Sequence, residues 1–498
     1  MKRIALRLAA RSGCALAALL ALAGCDLAPV YQPPHDIVPA TWKGQGVFRQ
    51  ARPGGDLLPT DWWRLLNDPE LNRLEEQAGR ENKTLAAAAE RFAQARAAVM
   101  SARSGLLPHF GLEAGASDNR QSNQALFRNY GPANETDAFY NGVASWEPDF
   151  WSKIRNTTRE TKSEAQAMAA DYAAGRLSLQ AELATQYVTL RGLDAQLAIY
   201  QQAIDYFTRA VAVTRDQYSN QAASRVDLAR ALDRLAVAQA EQLDTQAERE
   251  VCEHAIAILV NRIPAEFSIA PRPELGLQLA TIPLAMPSEI LQRRPDIAAA
   301  ERRMAKANQA IGVARAAFYP DITLGANGGF DASGVDLASL GNSMWSYGAN
   351  VSVPIFEGGL RRAELQHAWA DYRETRDEYR TTVLSAFREV EDGLSRSARL
   401  NAESQRLEQA VSASREAQDL SMSLYKDGIS GYLQAVTAQQ DYLESRIGMV
   451  RVRVRALTAE IFLIRALGGG WSRAQLPTPD QTMTFGPLQY DHLHDAKG

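Results

Sequence analysis

An alternation of apolar and polar residues marks one short segment of this chain as a strand. In the stretch MWSYGANVSVPIFEGG (Met344 to Gly359), apolar residues occupy the odd positions from Trp345 to Ile355, and small or polar residues occupy the even positions between Trp345 and Val353. A period of two places these two sets on opposite faces of a strand. About ten such residues are enough for a tilted strand to cross a bilayer. The segment is therefore predicted to be a strand with one apolar and one wet face.

Two long runs without proline, residues 149–263 and 355–476, have a helical period instead. The first repeats apolar residues at steps of three, four and seven: Tyr200, Ile204, Phe207, Val211 and Tyr218. The second steps by three and four: Tyr379, Val383, Phe387, Val390 and Leu394. Residues 156–218 and 361–427 would each form a helix of roughly 95–100 Å at 1.5 Å per residue. Apolar stripes of that length need partner helices along the whole length, as in a coiled coil.

The chain repeats itself at a nearly constant offset. The matched pairs include Arg91 with Arg303 and Pro108 with Pro320 at an offset of 212, Pro148 with Pro354 and Arg155 with Arg361 at 206, and Tyr218 with Tyr425 at 207. Such self-similarity indicates the duplication of one unit of about 200 residues. Each copy is predicted to run helix, two strands, long helix, turn, helix.

The repeat gives four predicted strands, at residues 107–117, 138–147, 319–330 and 345–355. Beyond residue 24 no apolar stretch is long enough for a transmembrane helix, so a membrane crossing would need these strands. An open sheet edge is not tolerated in hydrocarbon, and known single-chain barrels start at eight strands. Several copies of the chain would therefore have to share one barrel. The alternative is a soluble four-stranded sheet beside a coiled coil.

The N-terminus is typical of an exported lipoprotein. Residues 1–24 combine a basic start, a short apolar core and small residues, which is the pattern of a signal peptide. The segment Leu22 to Cys25 reads LAGC and resembles a bacterial lipobox, so Cys25 is predicted to carry a covalent lipid; the alternative is an ordinary signal peptide that is cut elsewhere. Asp26 follows directly, and in enteric bacteria an aspartate there tends to hold a lipoprotein at the inner membrane. No other cofactor and no metal are expected.

Proline distribution and the repeat divide the mature chain. Residues 25–60 are rich in proline and are predicted to be an extended tether, and residues 477–498 form an irregular tail. The repeats are placed at residues 61–276 and 277–476.

Composition excludes several classes of function. The formal net charge is −4 with no basic cluster, which argues against a nucleic-acid partner. The six histidines are scattered and no HExxH, P-loop, CxxC or GxSxG motif occurs, so the sequence predicts no enzyme; the tail residues His492 and His494 could hold a metal only weakly. Removal of the signal peptide leaves Cys25 and Cys252, and no disulfide is expected.

Several longer motifs carry a family resemblance. They are DWWRLLNDPEL (61–71), SWEPDFWSKIR (145–155), RRPDI (293–297), PIFEGG (354–359), FREVEDGL (387–394) and ALGGGW (466–471). Together they make residues 25–476 similar to the NodT/OprM-like branch of the TolC family of outer-membrane efflux lipoproteins. The resemblance implies an α+β membrane protein: a homotrimer whose twelve-stranded β-barrel, four strands per chain, continues as a long periplasmic α-helical barrel. Gly358 and Gly359 would then lie where the barrel wall passes into helix.

The resemblance also implies a function and partners. A member of this family is a passive exit duct that receives substrate from an inner-membrane pump and a periplasmic adaptor (membrane fusion) protein. Here the motifs favour efflux of drugs or other small toxic compounds by a resistance-nodulation-division (RND) pump. Alternatives are type I protein secretion, metal-ion efflux, or a non-conducting lipoprotein that bridges the periplasm. The expected location is the outer membrane, with contact to its lipid.

The periplasmic gate of the family lies at the tips of its helix pairs, which here read YSNQAASRVD (218–227) and YKDGISGYLQ (425–434). The resemblance points to six candidate gate residues: Tyr218, Asp227, Tyr425, Gly428, Ser430 and Gln434. Tyr425 would donate a hydrogen bond to the Asp227 carboxylate and so hold the gate closed. The alternatives are that Asp227 only stabilises a helix start and that Tyr425 only packs.

This chain departs from the family at several of these positions. Ser430 replaces an arginine found in some relatives, and Gln434 and Thr437 replace acidic residues. A carboxylate ring at the constriction would therefore form only if Asp427 and Asp441 face the lumen. Ser152, Gln221 and Asn261 stand where glycine is usual.

Overall fold

The protein alternates helix pairs and strand pairs in the order that the repeat predicts. The structure, a computed structural model, describes residues 25–34, 38–39, 41–43, 58–120, 122, 134–277, 287–332 and 339–485. The predicted signal peptide and the tail histidines lie outside these residues. Helices are α1 (Pro69–Glu81), α2 (Lys83–Ser104), α3 (Lys153–Ser219), α4 (Arg225–Leu259), α5 (Pro287–Arg293), α6 (Pro295–Ala316), α7 (Leu360–Lys426) and α8 (Tyr432–Ala466). Strands are β1 (His109–Arg120), β2 (Asn134–Trp146), β3 (Asp321–Ala332) and β4 (Ser343–Ser352).

The two copies of the repeat match element by element. Helices α3 and α7 have 67 residues each, α4 and α8 have 35 each, and α2 and α6 have 22 each. At 1.5 Å per residue the 67-residue helices are about 100 Å long. In each copy the long helix packs against the helix that follows the turn, α3 on α4 and α7 on α8, and α3 also packs on α6 and α8.

The strands form one antiparallel sheet in the order β1-β2-β3-β4. Three of the predicted strand positions are shifted or extended by a few residues, and the last is wrong at its end: β4 stops at Ser352 and not at residue 355. Pro354 explains this, because it has no amide hydrogen for the ladder. Val353 and Ile355 are exposed beyond the strand.

The main hydrophobic core lies where α1, the middle of α3, the end of α4, the middle of α7 and the end of α8 meet. Charged residues are buried beside it as a closed network: the Asp194 carboxylate accepts from Arg191 at 2.9 Å and from Arg249 at 2.6 Å. Paired charges of this kind are tolerated in an interior because each has its partner. This core fixes the two helix pairs relative to each other between the sheet and the far helix tips. The domain limits predicted at residues 61, 277 and 477 stay predictions.

Candidate functional site

The sheet has two chemically different faces. Directly opposed residues of antiparallel strands share a face, so the register assigns each residue to one side. On the first face most of the large residues are apolar or aromatic: Phe110, Leu112, Tyr140, Trp146, Ile322, Leu324, Phe330, Trp345, Tyr347 and Val351. Its polar exceptions, Asp118, Arg120 and Thr136, lie together at the far end of the β1–β2 pair. The second face carries polar and charged residues: His109, Glu113, Asp137, Asn141, Asp321, Thr323, Asn327, Asp331, Ser346 and Asn350. The predicted two-faced strand is thus one of four.

The apolar face is exposed in the single chain. Leu112 is 93% exposed, Phe110 82% and Trp345 73%, and the rings of Trp345 and Tyr347 stack 5.8 Å apart. On the polar face Phe139, Val143 and Met344 are the large apolar exceptions. An apolar surface of this extent on a sheet marks a contact with lipid or with another protein.

The two edges of the sheet, β1 and β4, have no strand partner within the described part of the chain. Strand β1 has 12 residues and β4 has 10, so each edge leaves a long row of backbone groups unpaired. Edges of this length are templates for pairing with another strand.

The passage from sheet to long helix is built differently in the two copies. Before α7, Gly358 and Gly359 have φ of 61° and 93°, a left-handed backbone that glycine adopts without strain. Before α3 the counterpart is Ser152, which has φ of 56° although it is not glycine. The Asp149 carboxylate accepts from the amides of Ile154 at 3.0 Å and Arg155 at 2.9 Å and so satisfies the start of α3.

Far along both long helices, the candidate gate residues lie in two tight turns. At the second turn Tyr425 is buried, and its hydroxyl donates to Oε1 of Gln217 on α3 at 2.6 Å; the Thr214 hydroxyl is 3.5 Å away. Tyr425 also packs edge-on against Tyr432, with ring centroids 5.7 Å apart. Burial, next to Tyr206 and Tyr425, raises the pKa of Tyr432 to about 12. Its hydroxyl therefore keeps its proton at any physiological pH.

Within one chain the described residues do not form the expected hydrogen bond between Tyr425 and Asp227. The Asp227 carboxylate instead accepts from the backbone amide of Ser224 at 3.2 Å and from its hydroxyl at 2.7 Å, and the Asp227 amide donates to the Ser224 hydroxyl at 3.1 Å. These reciprocal bonds are a capping box at the start of α4. The Asp227 carboxylate is hydrogen-bonded at the start of its own helix, and the Tyr425 hydroxyl donates to Gln217 instead.

The other candidate residues have separate places at the tips. Gly428 ends α7 with φ of 71°, and the equivalent residue of the first copy is Gln221 with φ of 62°. The Ser430 hydroxyl is buried and has no hydrogen-bond partner among the described residues. Tyr218 and Gln434 are exposed, and neither contacts Tyr425 through a hydrogen bond among those found in the described chain.

Sequence reasoning missed three residues of this site: Thr214, Gln217 and Ser224. The role of Ser224 as a helix cap could have been predicted, because Ser-x-x-Asp before a helical run is a capping signal. Gln217 was not, because its contact joins residues 208 apart in the chain.

Other kinds of chemistry find little support in the described residues. No group of three or more His, Cys, Asp or Glu among them is placed to hold a metal ion. Cys252 is buried, its Sγ lies 3.1 Å from the carbonyl oxygen of Gln186, and burial raises the pKa of its thiol to about 11. None of the helices described is both long and apolar enough to span a membrane.

A sheet with one apolar and one polar face, joined to helices of about 100 Å, defines the class of outer-membrane channel proteins. The family profile described as "Outer membrane efflux protein" matches residues 74–262 and 286–469. The chain therefore belongs to the outer membrane efflux protein family. It is the outer-membrane exit duct of an efflux system, and the fold class, function and location expected from the sequence are confirmed.

Relatives match over nearly the whole chain. Outer membrane protein OprJ of Pseudomonas aeruginosa is 31% identical over 470 residues, which cover 93% of this chain and 96% of OprJ. The toluene efflux pump outer membrane protein TtgC of Pseudomonas putida is 30% identical over 461 residues, covering 90% and 93%. The solved structure of the outer-membrane channel OprN superposes with a TM-score of 0.83 at 28% identity and covers 90% of this chain and all of OprN. Proteins of this family are channels and not enzymes.

Proposed function

We propose that three copies of the chain close a twelve-stranded barrel through which small molecules leave the cell. The observation that carries this is the sheet with two faces and two unpaired edges. In a ring, β4 of one copy would pair with β1 of the next and continue the antiparallel order. The edge groups would then be satisfied, as a lipid environment requires. The apolar face would meet lipid and the polar face would line water.

The long helices continue the same wall into the periplasm. Helix α3 packs on both α2 and α6, and α6 packs on α7, so these helices lie side by side. Three such sets of helices would complete a helical barrel below the sheet.

The partners follow from the passive character of such a duct. A channel supplies no energy, so a periplasmic adaptor and an RND-type inner-membrane transporter load this one. The substrate class is small and apolar or amphiphilic, including drugs. Support comes from a relative at 30% identity, TtgC, which is named for toluene efflux.

The tips of the helix pairs form the periplasmic gate. Tyr425 ties the end of α7 to α3, and Tyr432 and Phe207 belong to the same buried cluster of both helix pairs. Separation of the two pairs at the tips would break this cluster, so the contacts favour one defined arrangement.

Lipid on Cys25 anchors the mature N-terminus. Cys25 is exposed, and Asp26 beside it pairs with Arg159 on α3. Arg159 is six residues into that helix, about 9 Å from its start next to the sheet. An acyl chain on Cys25 would therefore begin close to the membrane-facing strands.

One preparation tests the proposal. The purified chain in detergent is expected to have three times the mass of one mature chain and to carry ion current in planar bilayers. The test variant places proline at Ala116 in edge strand β1, and the control places it at Lys83, the first residue of α2, where an extended residue precedes it. Ala116→Pro is expected to abolish the trimer, and Lys83→Pro to retain it, because proline is tolerated at the first position of a helix. A monomer without current contradicts the duct, and a trimer without current indicates a structural protein that bridges the periplasm.

Substrate and partners need a second measurement. A strain that lacks the gene is expected to become sensitive to drugs and organic solvents, with no change in sensitivity to metal ions or in protein secretion. The opposite profile would favour metal efflux or type I secretion.

A further inference from the structure

The first residues of the mature chain are held in a groove between α3 and α6. The carbonyl of Leu27 accepts from Arg315 at 3.0 Å, the carbonyl of Pro29 accepts from Asn308 at 2.8 Å, and the hydroxyl of Tyr31 donates to Glu301 at 2.7 Å. The three partners on α6 are spaced by seven residues, which places them on one face of that helix. The tether therefore runs along α6, away from the sheet.

Close packing at the head of this groove depends on one glycine. A Cβ on Gly312 of α6 would lie 2.7 Å from the Cβ of Ala28 and 2.5 Å from Nδ2 of Asn156. Only glycine lets the tether approach α3 and α6 this closely.

Asp26 has both carboxylate oxygens engaged at this point. Oδ1 accepts from the amide of Ala28 at 3.0 Å and from Nδ2 of Asn156 at 3.0 Å, and Oδ2 pairs with the guanidinium of Arg159. Partial burial alone would raise the pKa of Asp26, but the bonds from Ala28, Arg159 and Asn156 outweigh it and lower the pKa. The aspartate is thus ionised and its charge is matched within the folded chain.

The tether does not need this pairing in order to be held. The contacts of Leu27, Pro29 and Tyr31 already fix its course along α6. A serine at position 26 would keep the contacts of Leu27, Pro29 and Tyr31 and would lose the bonds of the carboxylate to Ala28, Asn156 and Arg159. The contacts around the Asp26 carboxylate are therefore not needed to hold the tether and point to a separate function.

In enteric bacteria an aspartate directly after a lipidated cysteine tends to hold a lipoprotein at the inner membrane. A carboxylate that is bonded to a guanidinium is no longer free for a cationic partner at the membrane surface, because both compete for the same oxygens. From this geometry we infer that Arg159 and Asn156 form an intramolecular binding site for Asp26 that cancels its retention signal on folding and releases the lipoprotein to the outer membrane. The inference rests on the proposed lipidation of Cys25.

The test compares the membrane distribution of full-length variants expressed from the native locus. Inner and outer membranes are separated on a sucrose gradient, and the chain is quantified in each. Arg159→Gln leaves Asp26 without its cation, and the ratio of inner-membrane to outer-membrane protein is expected to rise by up to about fivefold, the most that losing a half-exposed ion pair supplies. Arg159→Lys retains the charge and is expected to stay in the outer membrane.

Two controls separate sorting from folding. Asp26→Ser combined with Arg159→Gln carries the same helix substitution without the signal, and its return to the outer membrane is expected. Arg315→Gln loosens the tether at Leu27 without touching the carboxylate, and it is also expected in the outer membrane. If Arg159→Gln protein does not accumulate, Asn156→Ala replaces it, since it removes the other side-chain contact to Asp26.

Each contrary result overturns the inference. Arg159→Gln in the outer membrane would mean that Asp26 is not read as a signal once it is free. Retention of the double variant would mean a folding defect, and retention of Arg315→Gln would mean that any loosening of the tether is enough. Labelled palmitate on the wild-type chain, absent in Cys25→Ser, reports lipidation separately, so failure of the anchor is distinguishable from failure of the sorting site.

Discussion

The hydroxyl of Tyr425 donates a hydrogen bond of 2.6 Å to the side-chain oxygen of Gln217. This bond joins the last turn of α7 to the last turns of α3, and so it joins the second copy of the repeat to the first. Tyr425 is only 7% exposed and lies in the buried cluster that both helix pairs share near their tips. Any motion that separates the two pairs at this end has to break the bond.

Removing the hydroxyl of Tyr425 is expected to favour the open duct. Tyr425→Phe loses the bond to Gln217, and a net loss of about 1 kcal/mol shifts the population by roughly fivefold. We expect the open probability of single channels in planar bilayers to rise by about that factor. Gln217→Leu should do the same, and the double variant should add little to either single change.

Asp227→Ala is the matched control for this prediction. Asp227 is at the same tips but, within the described part of the chain, its side chain bonds to Ser224 alone, so its loss should leave the open probability close to that of the wild type. If Asp227→Ala opened the channel as strongly as Tyr425→Phe, the gate would depend on a contact between copies of the chain and not on Gln217.

The capping box of α4 gives a second prediction. Ser224→Ala or Asp227→Ala leaves amides of the first turn unsatisfied at a cost of about 1 kcal/mol. Hydrogen exchange of the amides in residues 225–230 is therefore expected to become roughly fivefold faster in either variant. The second copy offers the reverse change, since Gly431 begins α8 without a side-chain cap and has free space where a Cβ would lie. Gly431→Ser with Gln434→Asp should slow exchange at the start of α8; no change in either copy would contradict the cap.

Periodicity predicted the elements of this fold because each pattern belongs to one backbone geometry. The expected helix at 156–218 is α3, Lys153–Ser219, and the expected strand at 319–330 is β3, Asp321–Ala332. Strand β4 ended early because the alternation continues past Pro354 although the ladder cannot. A side-chain pattern does not register the loss of a backbone donor.

The hydrogen bond between Tyr425 and Gln217 could not be predicted from the sequence, for a different reason. Tyr425 and Gln217 meet because α3 packs on α8, and α8 on α7, at particular rotations and heights, and nothing local to either residue fixes those quantities. Asp227 had a local partner three residues away, which the expected long-range bond overlooked. Short-range hydrogen bonds of this kind compete with tertiary ones and are favoured because they need no distant element to be in place.

A half-buried carboxyl on α8 predicts a pH dependence of stability. Burial raises the pKa of Glu460 from 4.5 to about 7, and a bond from Asn401 opposes this only in part. The folded state therefore prefers the protonated acid, and this contribution is full below pH 4.5 and is lost as the pH rises through 7. Glutamine does not ionise, so Glu460→Gln keeps this contribution at every pH. The melting temperature of the variant should therefore equal that of the wild type near pH 4.5 and exceed it at pH 8. Glu374→Gln, at an exposed position on α7, should show no such divergence; parallel curves for Glu460→Gln would contradict the prediction.

Ser152 stores strain at the junction between sheet and helix, and its relief should stabilise the protein. The residue has φ of 56°, is 1% exposed, and its hydroxyl has no hydrogen-bond partner among the described residues. A non-glycine residue in the left-handed region costs roughly 1–2 kcal/mol, and the buried hydroxyl adds to that cost. Ser152→Gly should therefore raise the melting temperature of the purified protein. The greater conformational freedom of glycine in the unfolded chain opposes this effect and makes the increase smaller. Gly359→Ser is the matched control, because Gly359 has φ of 93° with open space around a Cβ, so strain alone should lower the melting temperature. A lower melting temperature for Ser152→Gly would show that the serine serves the junction in a way that its backbone geometry does not reveal.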